Sequence, residues 1–231
     1  MRRAVIFDCD GVLVDSEVLA IRGERRALEA LGLVYSPEEY VRRFVGLHDH
    51  AFLTALAADY KARLGRPAPA NLEDEVLAGR RREMGALTAV VGAREALAGA
   101  REAGYRLAVA SSARAHFLEN KLRKTGLWDG AAPHVYSADL VARGKPAPDI
   151  FLYAAGKIGA APAQCVVIED SENGVKAGVA AGMTVWGFLG GGHVFDGHGD
   201  RLIAAGAARL VGDHGELRGA IMGGEVFPRP A

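Results

Sequence analysis

At four places along the 231-residue chain, residues that can do chemistry together follow or flank short apolar runs. Ala4-Val5-Ile6-Phe7 is followed by Asp8 and Asp10, and Leu107–Ala110 by Ser111 and Ser112. Lys145 stands in Gly144-Lys145-Pro146, and Cys165–Ile168 runs into Glu169 and Asp170. Such a set supports phosphoryl transfer. Carboxylates from separate segments can hold a hard cation, and Mg²⁺ takes a few carboxylates together with waters and substrate oxygens. That charge offsets the repulsion between a phosphate dianion and an attacking carboxylate. An aspartate can then accept the phosphoryl group, with a hydroxyl and an ammonium donating to its oxygens. A second acid two residues beyond the first can protonate the leaving alkoxide and later activate water. Asp10 has that place.

These residues need a scaffold that gathers them. Apolar runs alternate with helical stretches, as in a parallel sheet wrapped by helices. The predicted strands are Ala4–Phe7, Leu107–Ala110, Val135–Tyr136, Cys165–Ile168, Thr184–Phe188 and Ala208–Val211. Ligands of such sheets bind beyond the carboxyl ends of the strands, where the acids, serines and lysine fall. About a hundred residues separate the first two strands, far more than one crossover helix of roughly a dozen residues needs. The intervening pattern predicts helices over Glu17–Leu31, Pro37–Val45, Ala51–Leu64 and Leu72–Met84. Ser36 and Glu39 form a capping box for the second. The expected organisation is a catalytic core of residues 1–15 and 87–231, with a helical cap, residues 16–86, over the end of the first strand.

Composition narrows the function classes. Lys and Arg number 28 and Asp and Glu 28, a balance that argues against a nucleic-acid binder. Half the residues are hydrophobic, enough for a sizeable core. Two cysteines make no disulfide framework, and no apolar run spans a bilayer. The expectation is a cytoplasmic protein without nucleic-acid or membrane partners, a monomer or weak homodimer.

The stretch from Phe7 to Glu17, the strand-terminal Ser111, Gly144-Lys145-Pro146 and Ile168-Glu169-Asp170-Ser171 resemble the four motifs of the haloacid dehalogenase (HAD) superfamily. Their order, and the helical insert after the first, are similar to its phosphatase and β-phosphoglucomutase branch, over roughly Val5 to Val211. The resemblance implies an α/β fold, a parallel Rossmann-like sheet with an inserted α-helical cap. It implies Asp8 as nucleophile, Asp10 as general acid and base, and Ser111 and Lys145 as holders of the phosphoryl group. Mg²⁺ would be the cofactor. Its residues would be Asp8, Asp10 through its carbonyl, and Asp170, with Glu169 coordinating or steering a bound water. The implied activity is a Mg²⁺-dependent phosphatase of a small phosphorylated metabolite, a sugar phosphate or phosphorylated sugar acid. Asp10 disfavours dehalogenation.

Two alternatives stay open. One is a phosphosugar mutase on the same core, and the other a weakly active binding or regulatory relative. The intact Asp8/Asp10 pair argues against the latter. Against the former, β-phosphoglucomutases carry a cap arginine and an early cap histidine; here Val45-Gly46-Leu47-His48-Asp49 and Val18-Leu19-Ala20 put Asp49 and Ala20 in those places. Hydrolysis is therefore expected.

The remaining polar features have plainer readings. Cys9 alternates away from the flanking aspartates and reads as buried filler. Ser111 could instead cap a helix, and Asp15 could cap the helix after it. His193, Asp196, His198 and Asp200 lie in a glycine-rich stretch without metal-ligand spacing, which reads as a mobile surface loop. Arg42-Arg43 and Arg80-Arg81-Arg82 read as solvated helix faces beside acids.

Overall fold

A computed structural model of the chain describes residues 3–44 and 49–227, without the side chains of residues 49 and 50. The chain divides into two compact units, residues 1–15 with 88–231, and residues 16–87. The second unit holds helices α1 (Ser16–Ala30), α2 (Pro37–Phe44), α3 (Asp49–Leu64) and α4 (Leu72–Glu83). The first holds α5 (Ala93–Glu102), α6 (Ala115–Lys124), α7 (Trp128–Ala131), α8 (Asp149–Lys157), α9 (Glu172–Ala180), α10 (His198–Ala205) and α11 (His214–Met222).

Six strands complete the first unit: β1 (Ala4–Phe7), β2 (Arg106–Ser111), β3 (Val135–Ser137), β4 (Cys165–Glu169), β5 (Thr184–Phe188) and β6 (Arg209–Val211). They form one sheet in the order β3-β2-β1-β4-β5-β6. Every neighbouring pair is parallel. Parallel strands are covered on both faces, which is why β1 and the first four residues of β4 are continuous apolar runs with no exposed position. Ala4, Ile6, Ala108, Ala110, Val167 and Val185 share one buried cluster with Phe151 of α8 and Val175 of α9. By alternation Val5, Phe7, Val109 and Ile168 face the other side, the side of α5 and α11.

Register fixes what meets at the strand ends. Phe7 is level with Val109 on β2 and Ile168 on β4. Asp8 continues the ladder, its N–H donating to Ile168 O at 2.9 Å. The strand order reverses between β1 and β4, which is where such sheets open a crevice.

The helical unit has its own core. Tyr35, Tyr40, Phe44 and Phe52 form a cluster with ring centroids 5.0–6.5 Å apart. The predicted capping box is there, with Glu39 N–H donating to Ser36 Oγ at 3.1 Å. α1 and α4 cross backbone to backbone at Gly23 and Gly79, where a Cβ on either would lie 2.3 Å from the other's carbonyl oxygen. Arg80 and Arg43 are not merely solvated, as the sequence suggests, because buried acids claim them. Arg80 pairs with Glu24, which also accepts from Tyr40 Oη at 2.7 Å, and Arg43 pairs with Asp59. Val45–His48 lie outside the described residues, as does the side chain of Asp49, so the segment compared with the mutase arginine does too. Among the described residues no helix is long and apolar enough to cross a membrane.

Candidate active site

Asp8 leaves the end of β1 with its carboxylate buried, and Lys145 meets it. The ammonium donates to Asp8 Oδ1 at 2.5 Å, to Glu169 Oε1 at 2.6 Å and to Ala110 O at 3.2 Å. Its three hydrogens are thus aimed at residues at the ends of β1, β4 and β2. The ring of Phe151 lies 4.7 Å from Nζ. Burial alone would push the lysine toward its neutral form, but Asp8 and Glu169 outweigh that and hold its pKa above the ordinary value.

The opposite holds for Asp8. Burial raises its pKa well above the ordinary carboxylate range, Lys145 pulls it down, and Glu169, Asp170 and Asp10 push it up again. Four carboxylates therefore crowd one place, with more negative charge than Lys145 balances. Lys121, on α6, reaches in from another side and pairs with Asp10 Oδ1.

Glu169 has both of its carboxylate oxygens hydrogen-bonded within the protein. Oε1 accepts from Lys145, and Oε2 accepts from both the N–H and Oγ–H of Ser171 at 2.9 Å. Both oxygens are engaged because a buried lysine needs counter-charge and the turn into α9 needs its donors satisfied. Ser111 is buried at the end of β2, and its Oγ accepts from Ala113 N–H at 3.0 Å. It does not cap α6, whose first N–H, that of Ala115, donates to Asp139 Oδ2 at 2.8 Å.

The glycine-rich stretch is not the loose loop the sequence suggests. His193 and His198 are 6% and 7% exposed, and both turn toward Asp170. His193 Nε2 lies 3.0 Å from Asp170 Oδ2, and His198 Nε2 lies 2.7 Å from the Asp170 carbonyl. Gly192 N–H donates to Asp15 Oδ1 at 3.1 Å, which ties the same stretch to the turn after β1. Gly11 makes that turn possible, because its φ of +78° is left-handed and a Cβ there would sit 1.9 Å from Asp170 Oδ2. Cys9 is fully buried, and burial followed by the charges of Asp10 and Asp8 raises its thiol pKa, as befits filler.

Among the described residues no three His, Cys, Asp or Glu side chains form a ready metal cage. Mg²⁺ needs only one or two carboxylates together with waters and substrate oxygens. The buried acids Asp8 and Asp170 offer the oxygen donors that a hard cation takes.

Comparison with known proteins supplies the lineage. A family model for haloacid dehalogenase-like hydrolases matches residues 2–182. The chain belongs to that family. A phosphorylated carbohydrates phosphatase of Thermotoga maritima is 34% identical over 212 residues, covering 90% of this chain and 93% of the relative. Hexitol phosphatase B of Escherichia coli (strain K12) is 32% identical, covering 78% of this chain and 80% of the relative. A crystal structure of a HAD family hydrolase from Deinococcus radiodurans R1, with bound phosphate and sodium, has a TM-score of 0.85. It is 35% identical, covering 98% of this chain and 97% of that one. The chain is thus a HAD-type phosphoester hydrolase.

The sequence motifs do not include Lys121, and they give Ser171, His193 and His198 no part in the site. Ser171 had a signal, as a serine opening a helix, whereas the other three reach the site from elements distant in sequence.

Proposed function

We propose that the chain is a Mg²⁺-dependent phosphatase of small phosphorylated carbohydrates, acting through an aspartyl-phosphate on Asp8. The observation that carries this reading is the buried Lys145 ammonium shared by Asp8 and Glu169 at 2.5 and 2.6 Å. It aims one carboxylate and places a fixed positive charge where phosphoryl oxygens must come. The phosphatase names of the relatives and the phosphate bound in a similar structure support the same reaction.

Asp8 attacks phosphorus, a P–O bond forms to its carboxylate, and the bond to the leaving oxygen breaks. Asp10 supplies the proton to that oxygen, and Lys121 holds its carboxylate at the edge of the site. Lys145 and the Ser111 hydroxyl donate to the phosphoryl oxygens. Water, giving its proton to Asp10, then attacks the acyl phosphate and releases inorganic phosphate and free Asp8. Asp8, Asp170 and the Asp10 carbonyl would hold Mg²⁺, which supplies charge neutralisation for the phosphate when bound.

The test is phosphate release from sugar phosphates, hexitol phosphates and phosphorylated sugar acids, in Mg²⁺ and in excess EDTA. Turnover on at least one of them, abolished by EDTA, is expected. Equal rates in both would sink the proposal. Glucose 6-phosphate formed from β-glucose 1-phosphate faster than free phosphate would replace it with a mutase.

A further inference from the structure

We propose that His193 is a positioning residue for Asp170, setting that carboxylate for the cation from a loop outside the four motifs. The inference rests on the reading of Asp170 as a cation ligand. A carboxylate oxygen only accepts, so the 3.0 Å contact requires the hydrogen on His193 Nε2. With Oδ2 engaged, Oδ1 is the oxygen left to meet a cation. Carboxylates that bind metals are commonly held by such an outer hydrogen bond, which limits their rotation.

The surroundings point the same way. A Cβ built on Gly11 or on Gly191 would each lie 2.8 Å from the His193 Cε1 atom, so the ring is boxed between the turn after β1 and its own loop. His198 stands edge-on to it at 5.6 Å between ring centroids and holds the Asp170 carbonyl. Asp170 is thus gripped twice, at its side chain by His193 and at its peptide by His198. An imidazole 6% exposed and directed at one carboxylate oxygen is more than packing requires, since an apolar ring would fill the same box.

The test is calorimetric titration of Mg²⁺ into the intact protein without substrate, for the wild type, His193→Phe, His193→Asn and His193→Gln. His193→Phe fills the box without a donor, and His193→Asn keeps polarity but is too short to reach Oδ2. Both are expected to weaken Mg²⁺ binding by about tenfold or more. His193→Gln, whose amide can donate, is expected to recover most of the affinity. The Mg²⁺ concentration for half-maximal phosphate release should shift in parallel, with kcat at saturating Mg²⁺ little changed. If His193→Phe does not fold, the Asn and Gln pair decides. Wild-type Mg²⁺ affinity in a folded Phe or Asn variant overturns the positioning role and leaves the phosphatase reading intact. A wild type that neither binds Mg²⁺ nor needs it for phosphate release overturns both.

Discussion

The chemistry of single side chains here is set by which charges are buried together. Lys145 is 5% exposed and stands between two buried acids, so removing it leaves Asp8 and Glu169 facing each other. Lys145→Met is expected to destabilise the metal-free protein by about 3–5 kcal/mol near neutrality, the usual cost of breaking a buried pair. The deficit should shrink as the pH falls and Asp8, pushed up by burial, takes up a proton, which urea unfolding in EDTA would follow. Asp8→Asn keeps the shape and removes the proposed nucleophile, so turnover should drop by at least about a thousandfold. A verified variant turning over at the wild-type rate would end the covalent mechanism. The identities of these residues were legible in the sequence because motif chemistry is local, each acid or lysine lying beside an apolar run or a glycine-proline turn. What they bond to was not. The family resemblance implies a metal role for Glu169, but its bond to Lys145, 24 residues away, emerges only when the strand ends come level.

At the scale of elements, the parallel sheet and most helices follow from hydrophobic period and capping. β1 and β5 occupy the predicted residues, and β2 extends two residues further, to take in Arg106 and Ser111. Side-chain burial decides that extension, since Ser111 is as enclosed as the alanine before it and so continues the strand instead of opening a helix. The stretch after β5 departs from its sequence pattern for the opposite reason. Glycine density signals a loop, but it cannot say that His193 and His198 fold inward to bonds with Asp170. In the helical unit, Gly23 and Gly79 let α1 and α4 touch along their backbones. Gly79→Val would force branched carbons against a carbonyl and Ala27. A loss of about 1–3 kcal/mol is expected from overpacking of this kind. Denaturant midpoints and the hydrogen-exchange protection of Leu19–Leu28 would register it, and unchanged protection would contradict so close a crossing.

The molecule as a whole should lose stability on the acid side of neutrality for a reason outside the catalytic acids. His214 is 1% exposed, donates from Nε2 to the Val12 carbonyl at 2.7 Å, and leaves Nδ1 buried with no partner. Burial lowers its pKa from the ordinary 6.5, although the Val12 carbonyl, Asp213 and Glu95 pull the other way. The unfolded chain therefore binds a proton near pH 6.5 that the folded one resists. This contribution to stability is complete above that pH and is lost as the pH falls toward the folded value. It amounts to at most about 1.4 kcal/mol per pH unit for one proton. Urea unfolding between neutrality and mild acid should show the slope, and His214→Gln should remove about one proton's worth of it. An identical slope in the variant would assign the effect elsewhere.

The place of β1 has a consequence for how the chain is made. It leaves the ribosome before the other five strands of this sheet, yet it lies inside the sheet, bonded to β2 on one side and β4 on the other. Ala4 pairs with Arg106 and with Cys165, so its nearer partner is translated about a hundred residues later. At roughly 5–20 residues per second, an apolar tetrapeptide waits unpaired for about 5–20 s. The helical unit, residues 16–87, is fully translated within that interval and has an aromatic core of its own to bury. Ribosome-stalled chains ending near residue 110 should therefore resist protease in the helical unit while β1 remains open to cleavage. Chains long enough to expose β4 should protect both. Asp8 is thus synthesised ahead of both strands that flank β1.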